Sequence, residues 1–336
     1  MYNFLYYISL FFVSHLERFC IYLHPLTHSH PITKMKRTIT VLTVLFFTTS
    51  ALMAQITMAN SSKVIEMTNF VNKMYNSYIS NMDKVRHGLN ISYENMEALH
   101  KNKGATIYSW DCADIALRSD YKEAFQKSIK STPSFPEKAE IQSQINYAEQ
   151  YNEYLSDCCK ALNDYYTKQE FKDDKNWAKY QKLYTELATA YTDMSKIWKK
   201  TIDLATDAGD RAELVTLKRN PISEFIIPMK TDLISARKIM NMYVGDYFDN
   251  STMKKSVADL KRNIVKSRSL NGKRNISFLN KYNKKSAFSD FYKRMDTFLK
   301  VAVALETTYI PQQGDNNNLS LLINEYNSLV EIYSIM

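Results

Sequence analysis

The chain is poor in the residues that make turns. Its 336 residues include only six glycines and seven prolines. Turns and loops depend on these two residues, because glycine reaches positive φ and proline fixes φ. Their scarcity predicts long helices with short connections, and no strand alternation stands out. The sequence also lacks G-x-S-x-G and a glycine-rich phosphate loop, so it carries neither of these catalytic signatures.

Histidine and cysteine are scarce beyond the first 54 residues. Only His87 and His100 remain there, together with Cys112, Cys158 and Cys159. A histidine-based triad therefore has few candidates, and no C-x-x-C motif is present. Buried free thiols are the favoured interpretation, and a disulfide from Cys112 to one of the adjacent pair is the alternative in an oxidising compartment.

Long hydrophobic runs are confined to the N-terminus. Met35-Lys36-Arg37 precedes "TITVLTVLFFTTSALMA", which has the basic start, apolar middle and small-residue end of a secretory signal. We expect a signal peptide at Met35–Ala54, with Ala59 as the second choice of cleavage site. Residues 1–34 are interpreted as an extension upstream of the true start, and alternatively as a membrane-anchoring segment.

Export fixes the expected location and the extent of the folded part. The signal peptide predicts a periplasmic or outer-membrane-peripheral protein of a Gram-negative bacterium. No cysteine lies directly after the apolar run, so a lipoprotein anchor is not expected. Residues 55–336 are expected to form a single all-helical domain, with a weak boundary near 209–220.

Spacings of three and four predict a helical hairpin. Apolar residues recur without error from Trp177 to Trp198, and a matching stripe runs from Ile141 to Tyr165. The connection "TKQEFKDDKN" is short, so the two helices are antiparallel, and Asp173 or Asp174 is expected to cap the second. The predicted fold is all-α, an elongated antiparallel helical bundle built on a hairpin of about 137–170 and 174–206.

Glycines mark the expected ends of several helices. A helix from Val64 is expected to end at Gly88 and Asn90, with a shorter one over 92–102. Another helix is predicted over 106–130. Gly209 is expected to end the second arm of the hairpin. Asn220 and Pro221 resemble a cap and first turn, and Pro228 is expected to kink the next helix or to mark its start.

The hairpin corner resembles a known family. The stretch "YYTKQEFKDDKNWAKYQKLYTEL" is similar to bacterial envelope proteins grouped as domain of unknown function 3829 (DUF3829). The matching residues are Tyr165, Tyr166, Phe171, Lys172, Asp173 and Asp174. Where the family has Gly-Lys and a histidine, this chain holds Tyr180 and Tyr184, so the resemblance carries over no histidine role. It implies an exported all-helical protein and supplies no activity.

One E-x-x-H motif is the only candidate metal site. It joins Glu97 to His100, and His87 could approach them if the chain bends at Gly88. Di-iron bundles use two such motifs and two further glutamates, whereas a single motif occurs here. An ordinary solvated helix with two histidines is the simpler interpretation, and no cofactor is expected.

A basic segment is the most informative exposed feature. Residues 254–285 hold eleven cationic side chains and one acid, Asp259. The stripe of Met253, Val257, Leu260 and Ile264 indicates a helix that packs by one face and exposes the other. The candidate partner-binding residues are Lys254, Lys255, Lys261, Arg262, Lys266, Arg268, Lys273 and Arg274.

These features favour a non-enzymatic envelope protein, a helical binding or spacer module whose basic surface meets an anionic partner. Anionic lipid, lipopolysaccharide or an envelope protein are the candidates, and an exported location disfavours nucleic acid. The simpler alternative is a solvated basic face with no dedicated partner. The competing hypothesis is a periplasmic enzyme or metal-binding bundle that uses His87, Glu97 and His100.

Overall fold

The computed structural model describes residues 55–102, 104–112, 119–244, 249–269, 276–308 and 316–336. The predicted signal peptide and the extension before it lie outside these residues. The described chain forms helices and no strand, which confirms the all-α class. It divides into two compact units between Lys218 and Arg219. We call residues 55–218 the N-terminal unit and residues 219–336 the C-terminal unit.

The described residues of the N-terminal unit form four α-helices. They are α1 Ser61–Lys101, α2 Ser119–Ser131, α3 Lys138–Thr167 and α4 Ala178–Leu217, and two short 3₁₀ turns join α3 to α4. Helices α3 and α4 are the predicted hairpin. The second arm extends to Leu217 and therefore continues past the predicted end near 206.

Helix α1 runs antiparallel to α4. Thr68 meets Gly209 near one end, and the rings of Tyr78 and Trp198 stack 5.0 Å apart further along. At the other end the rings of His100 and Trp177 stack 4.7 Å apart. Residue numbers rise along α1 as they fall along α4, so the two helices form one long seam.

The hairpin corner is held by Asp174. Its carboxylate accepts hydrogen bonds from the backbone N–H groups of Lys179 (3.1 Å) and Tyr180 (3.0 Å), as predicted for a cap of α4. The Tyr165 hydroxyl donates a third bond of 3.0 Å. Burial opposes ionisation of this carboxyl, but the hydrogen bonds outweigh it and hold the pKa of Asp174 below its usual range.

The predicted break at Gly88 and Asn90 is wrong, because α1 continues unbroken to Lys101. Gly88 does not end the helix but allows the Trp110 ring to pack closely against it. A Cβ added there would lie 2.4 Å from the indole Nε1 of Trp110, so only glycine leaves room for that ring. The gain from burying an indole exceeds the modest helix penalty of one glycine, about 1 kcal/mol.

The predicted helix over 106–130 is also wrong in its first part. Residues 105–112 form no helix, and helix α2 begins only at Ser119. The Asn95 side chain holds this strap by donating to the Tyr108 carbonyl (2.7 Å) and accepting from the Tyr108 N–H (3.0 Å). One amide side chain thereby satisfies both backbone groups, as a neighbouring strand would.

The strap ends in a disulfide between Cys112 and Cys159, whose Cα atoms lie 5.7 Å apart. The favoured prediction of three free thiols is therefore wrong, and the alternative bond is present. Cys158 remains a buried free thiol. Adjacent helical residues point in different directions, so only Cys159 faces the strap.

Gly209 does not end α4, contrary to prediction. It lies inside the helix, where an added Cβ would approach the Thr68 hydroxyl to 3.0 Å. Its role is to let α1 and α4 approach closely. Both glycines were interpreted as helix ends, and both are contact points.

The C-terminal unit packs four longer helices and one short helix around a core of aromatic and aliphatic side chains. Its helices are α5 Ser223–Val244, α6 Asn250–Ser269, α7 Ile276–Lys281, α8 Lys285–Thr308 and α9 Asn316–Ser334. The Asn220 side chain accepts from the Ile222 N–H at the entry to α5. Pro228 lies inside α5, so it does not mark the start of that helix.

Candidate functional site

The basic segment forms one face of helix α6. Asp249 starts the helix by accepting hydrogen bonds from the Ser251 and Thr252 N–H groups. The predicted stripe of Met253, Val257, Leu260 and Ile264 is buried against the core. The opposite side exposes five cations, which we call the basic face: Lys254, Lys255, Lys261, Arg262 and Lys266.

Two small apolar side chains lie among these cations. Val265 is 66% exposed and Ala258 is also exposed. Together with Lys255, Asp259, Lys261 and Arg262 they line a shallow, open depression. The depression therefore combines an exposed apolar side chain with long cationic side chains.

Acidic side chains offset little of this charge. Asp259 forms an ion pair with Arg262 on the same helix. The C-terminal unit as a whole contains 18 basic and 11 acidic residues, a net charge of +7, whereas the N-terminal unit contains 22 and 23, a net charge of −1. The positive excess of residues 55–336 therefore belongs to the C-terminal unit.

Arg268 does not belong to the basic face, although the sequence placed it there. Its guanidinium pairs with Asp296 at 2.5 Å, donates to the Tyr292 carbonyl and lies over the Tyr292 ring at 5.8 Å. These contacts fasten the end of α6 to α8. A charge count along the sequence cannot separate such a structural cation from a solvated one.

Beside Arg268 lies a buried carboxylate that the sequence did not reveal. Asp232, 1% exposed, accepts hydrogen bonds from the Ser267 hydroxyl (2.9 Å) and the Tyr292 hydroxyl (3.1 Å). Burial raises the pKa of Asp232, and the two hydrogen bonds partly offset that rise. The cluster joins α5, α6 and α8 and so fixes the helix that presents the basic face.

The remaining cations of the segment differ in their placement. Lys273 and Arg274 lie outside the described residues. Lys284 donates to the Ile335 carbonyl and thus ties the start of α8 to the C-terminus. Lys281 and Lys285 are exposed near the junction of α7 and α8. The basic face of α6 is therefore the largest described cluster of exposed cations in this segment.

The candidate metal residues do not converge. His87 and His100 lie on one continuous helix, and thirteen residues of α1 separate them by about 20 Å along the axis. Glu97 accepts a hydrogen bond from the Tyr93 hydroxyl, and His100 stacks on Trp177. The proposed approach of His87 required a bend at Gly88 that is absent. No three His, Cys, Asp or Glu side chains are grouped to hold a metal within the described ranges.

The tyrosines of the hairpin corner are structural. Tyr166 is buried and donates to the Ser92 carbonyl at 2.7 Å. Its ring meets those of Trp110 and Tyr165 edge-on. Burial raises the pKa of Tyr166 well above its usual value. The hydroxyl therefore stays protonated and serves as a fixed donor between α3 and α1.

No protein-family model matches the chain, and no curated protein matches it. Solved structures do resemble it. An alpha helical protein from Bacteroides fragilis aligns with a TM-score of 0.50 at 14% identity, over 81% of this chain and 97% of its own. An uncharacterized DUF3829-like protein from Bacteroides thetaiotaomicron aligns with a TM-score of 0.42 at 15% identity, over 80% and 99%. At such identity the first likeness shows an all-α fold alone.

Within the described ranges, no helix combines the length and the apolar content needed to cross a bilayer.

Proposed function

We propose that this protein is an exported, non-enzymatic envelope protein that binds anionic lipid surfaces through the basic face of α6. The observation that carries the proposal is that Lys255, Lys261 and Arg262 line one depression with the exposed Val265, on a helix whose opposite side is buried in the core. Such a helix can lie against a charged interface without any change of fold.

Two features support export. The segment Met35–Ala54 has the composition of a secretory signal. The Cys112–Cys159 disulfide favours an oxidising compartment, because the reducing cytosol keeps most thiols free. The corner residues from Tyr165 to Asp174 support a further proposal, that the chain is a divergent, non-lipidated member of the DUF3829 family.

The apolar depression favours a lipid surface over the other candidates. A protein or nucleic acid partner could use the same cations, but neither requires an exposed valine among them. A bilayer interface offers phosphate groups to the lysines and acyl chains to Val265 and Ala258. Lipopolysaccharide shares this chemistry, and a comparison of vesicle compositions separates it from simple anionic phospholipid.

The expected affinity follows from the charge. A basic side chain near an anionic membrane contributes about 1 kcal/mol. Reversal of three cations should therefore weaken partitioning by about 3 kcal/mol or more, which is on the order of 100-fold. Binding should also fall steeply with salt, because exposed charges are screened within about 10 Å at 0.1 M ionic strength.

Co-sedimentation with vesicles tests the proposal. Purified protein is mixed with phosphatidylglycerol, phosphatidylcholine or lipopolysaccharide-containing vesicles at low and moderate salt. We expect binding to the anionic vesicles at low salt and weak binding to phosphatidylcholine. The reversal variant changes three exposed lysines of α6 to glutamate: Lys255, Lys261 and Lys266.

A matched control has the same net charge but places the reversals elsewhere. It changes three exposed lysines of the N-terminal unit to glutamate: Lys84, Lys127 and Lys160. The control should bind as wild type does, and the α6 variant should not. Equal binding by both variants would show that the basic face is not the lipid-binding surface. No binding by wild type to any vesicle would reject the lipid function.

A further inference from the structure

A row of tyrosines lies on the outside of helix α3. The ring centroids of Tyr147 and Tyr151 are 5.9 Å apart, and those of Tyr151 and Tyr154 are 5.4 Å apart. Tyr147 is 51% exposed and Tyr154 is 48% exposed, whereas Tyr151 is half-buried between them. The two exposed rings are seven residues apart, which places them about 10 Å apart along the helix.

These rings are not needed by the core of the N-terminal unit. The buried side of α3 is already supplied by Ile141, Ile145, Ala148 and Leu155, all with no exposed surface. A large aromatic side chain left half in water is a binding candidate more often when several adjoin than when one stands alone. The adjoining rings distinguish this strip from a scattered surface tyrosine.

The neighbours of Tyr147 are uncharged and rich in amides. Gln142, Ser143, Asn146 and Gln150 lie beside Tyr147 and line a shallow depression with it. Each amide side chain offers both hydrogen-bond donors and an acceptor, and the serine hydroxyl offers both roles. We call Gln142 to Tyr154 on this side of α3 the tyrosine strip.

Carboxylates border the strip at Tyr154, where Glu153 and Asp157 of α3 are exposed. Burial raises the pKa of Tyr151, and the charge of Asp193 on α4 adds to that rise. The hydrogen bond with Cys158 and burial raise the pKa of Tyr154, and the charges of Glu186 and Asp193 on α4 add to it. Both carboxylates have partners on α4, since Lys196 meets Asp193 at 3.3 Å and Lys182 meets Glu186 at 4.0 Å. The depression itself is lined by no cation.

This composition selects the kind of ligand. A nucleic acid would need a positive groove beside the rings, and a lipid surface would need cations around an apolar patch. A partner helix would need a groove of aliphatic anchors, whereas the strip is the convex side of one helix. A neutral sugar chain fits, because its C–H faces pack on the negative faces of the rings while its paired hydroxyls bond to amides.

We propose that the tyrosine strip of α3 binds a neutral glycan chain, with Tyr147 and Tyr154 as stacking platforms and Asn146 and Gln150 as hydrogen-bonding groups. This site lies in the N-terminal unit and goes beyond the lipid contact of α6. It involves no covalent step. Short ligands should bind weakly, because one exposed ring holds one sugar face, and longer chains should bind more tightly when they span both rings.

Affinity electrophoresis tests the glycan site. The purified full chain is run in native gels that contain soluble neutral polysaccharides: dextran, xylan, galactomannan and laminarin. We expect retardation by at least one of them. The Tyr147→Ala and Tyr154→Ala variants should each raise the dissociation constant by roughly tenfold, the loss of one stacked ring. Tyr147→Phe should keep the binding, because it keeps the ring.

Tyr108→Ala is the matched control, since Tyr108 is 62% exposed but belongs to the strap. It should bind polysaccharide as wild type does, and all four variants should bind anionic vesicles unchanged. No retardation of wild type by any of the four polymers overturns the proposal, and so does equal retardation of Tyr147→Ala and Tyr154→Ala. A concentration-dependent dimer that these variants abolish would assign the strip to self-association instead.

Discussion

Two glycines decide how closely the helices of the N-terminal unit approach. Gly88 admits the Trp110 ring against α1, and Gly209 lets α4 approach Thr68. Neither residue has an unusual backbone conformation to explain. The missing Cβ is the functional feature at both positions, and a side chain there would separate surfaces that bury much of the unit's apolar area.

Substitution of Gly88 by alanine tests this role. The new Cβ would lie 2.4 Å from the Trp110 Nε1 and 2.5 Å from its Cδ1, so the ring or the helix must shift. Overpacking of this kind costs about 1–3 kcal/mol, against a gain of up to about 1 kcal/mol in helix propensity. We expect a lower midpoint in urea unfolding. Gly104→Ala, whose nearest neighbour is 3.5 Å away, should leave the midpoint unchanged.

Asp174 is the second residue with a defined contribution. Loss of its cap in Asp174→Ala should destabilise the protein by about 1 kcal/mol in urea unfolding at pH 7. Asp173→Ala should have little effect, because Asp174 and not Asp173 accepts the N–H groups that open α4. A larger loss in Asp173→Ala than in Asp174→Ala would contradict the assignment.

The Asp174 carboxyl should also make the stability of the protein depend on pH, and the direction of its pKa shift determines the direction of that dependence. The pKa of Asp174 is lower in the folded protein than in the unfolded chain, where it is near 4. Its stabilisation is therefore present above pH 4 and is lost as pH falls through the folded value. The stability difference between wild type and Asp174→Ala should shrink below about pH 4 and stay constant from pH 5 to 7.

Among the connecting elements, the strap of residues 105–112 depends most on covalent support. The Cys112–Cys159 bond closes a span of 47 residues and holds the strap over α1 and α3. Cys112→Ser should lower the free energy of unfolding by about 2–4 kcal/mol and speed amide exchange at Tyr108. Thiol titration of the denatured chain should find Cys158 as the single thiol among Cys112, Cys158 and Cys159.

Cys158→Ala is the control for this experiment. Cys158 is buried but unbonded, so its loss should cost less than loss of the bond and should leave exchange in the strap unchanged. Three titratable thiols in the unreduced protein, or equal exchange in Cys112→Ser and wild type, would contradict the account of the strap.

The hairpin of α3 and α4 could be predicted from the sequence because its signal repeats. Apolar residues recur on one side of α4 over several turns, so each turn indicates the same packed side. Four members of this stripe are buried in the structure: Tyr180, Leu187, Met194 and Trp198. The buried stripe of α6 was equally readable. Repeated spacing identifies helices and their packed sides even when single positions mislead.

Predictions from single residues were wrong where tertiary contacts determine the local structure. A glycine predicts a helix end or a close approach equally well, so Gly88 and Gly209 could not be assigned without their neighbours Trp110 and Thr68. The strap has helix-compatible residues, but Asn95 of another helix binds the backbone N–H and carbonyl of Tyr108. Likewise, nothing in the spacing of the cysteines brings Cys112 to Cys159.

The candidate site was predictable only as a charge count. The excess of lysine and arginine in residues 254–285 located α6, and the buried stripe indicated which side is exposed. Arg268 is structural because it contacts Asp296 and Tyr292 of α8. Nothing in the sequence indicates that these residues come together. The importance of Val265 likewise appears only when its exposure is seen.

At the scale of the whole molecule, charge and aromatic surface belong to different units. The C-terminal unit holds the positive excess and the basic face, and the N-terminal unit holds the tyrosine strip. The two proposals can therefore fail separately. Lipid binding as proposed requires that the side of α6 around Val265 meets the anionic bilayer.

A polarity-sensitive dye attached at position 265 measures that contact directly. The Val265→Cys protein is labelled under native conditions, where Cys158 is buried, and titrated with phosphatidylglycerol vesicles. Val303→Cys is the control, because Val303 is 47% exposed on α8 of the same unit. We predict a blue shift of the dye at position 265, reversed by added salt, with little change at 303. A shift at 303 alone, or at neither position while the protein binds vesicles, would contradict the account.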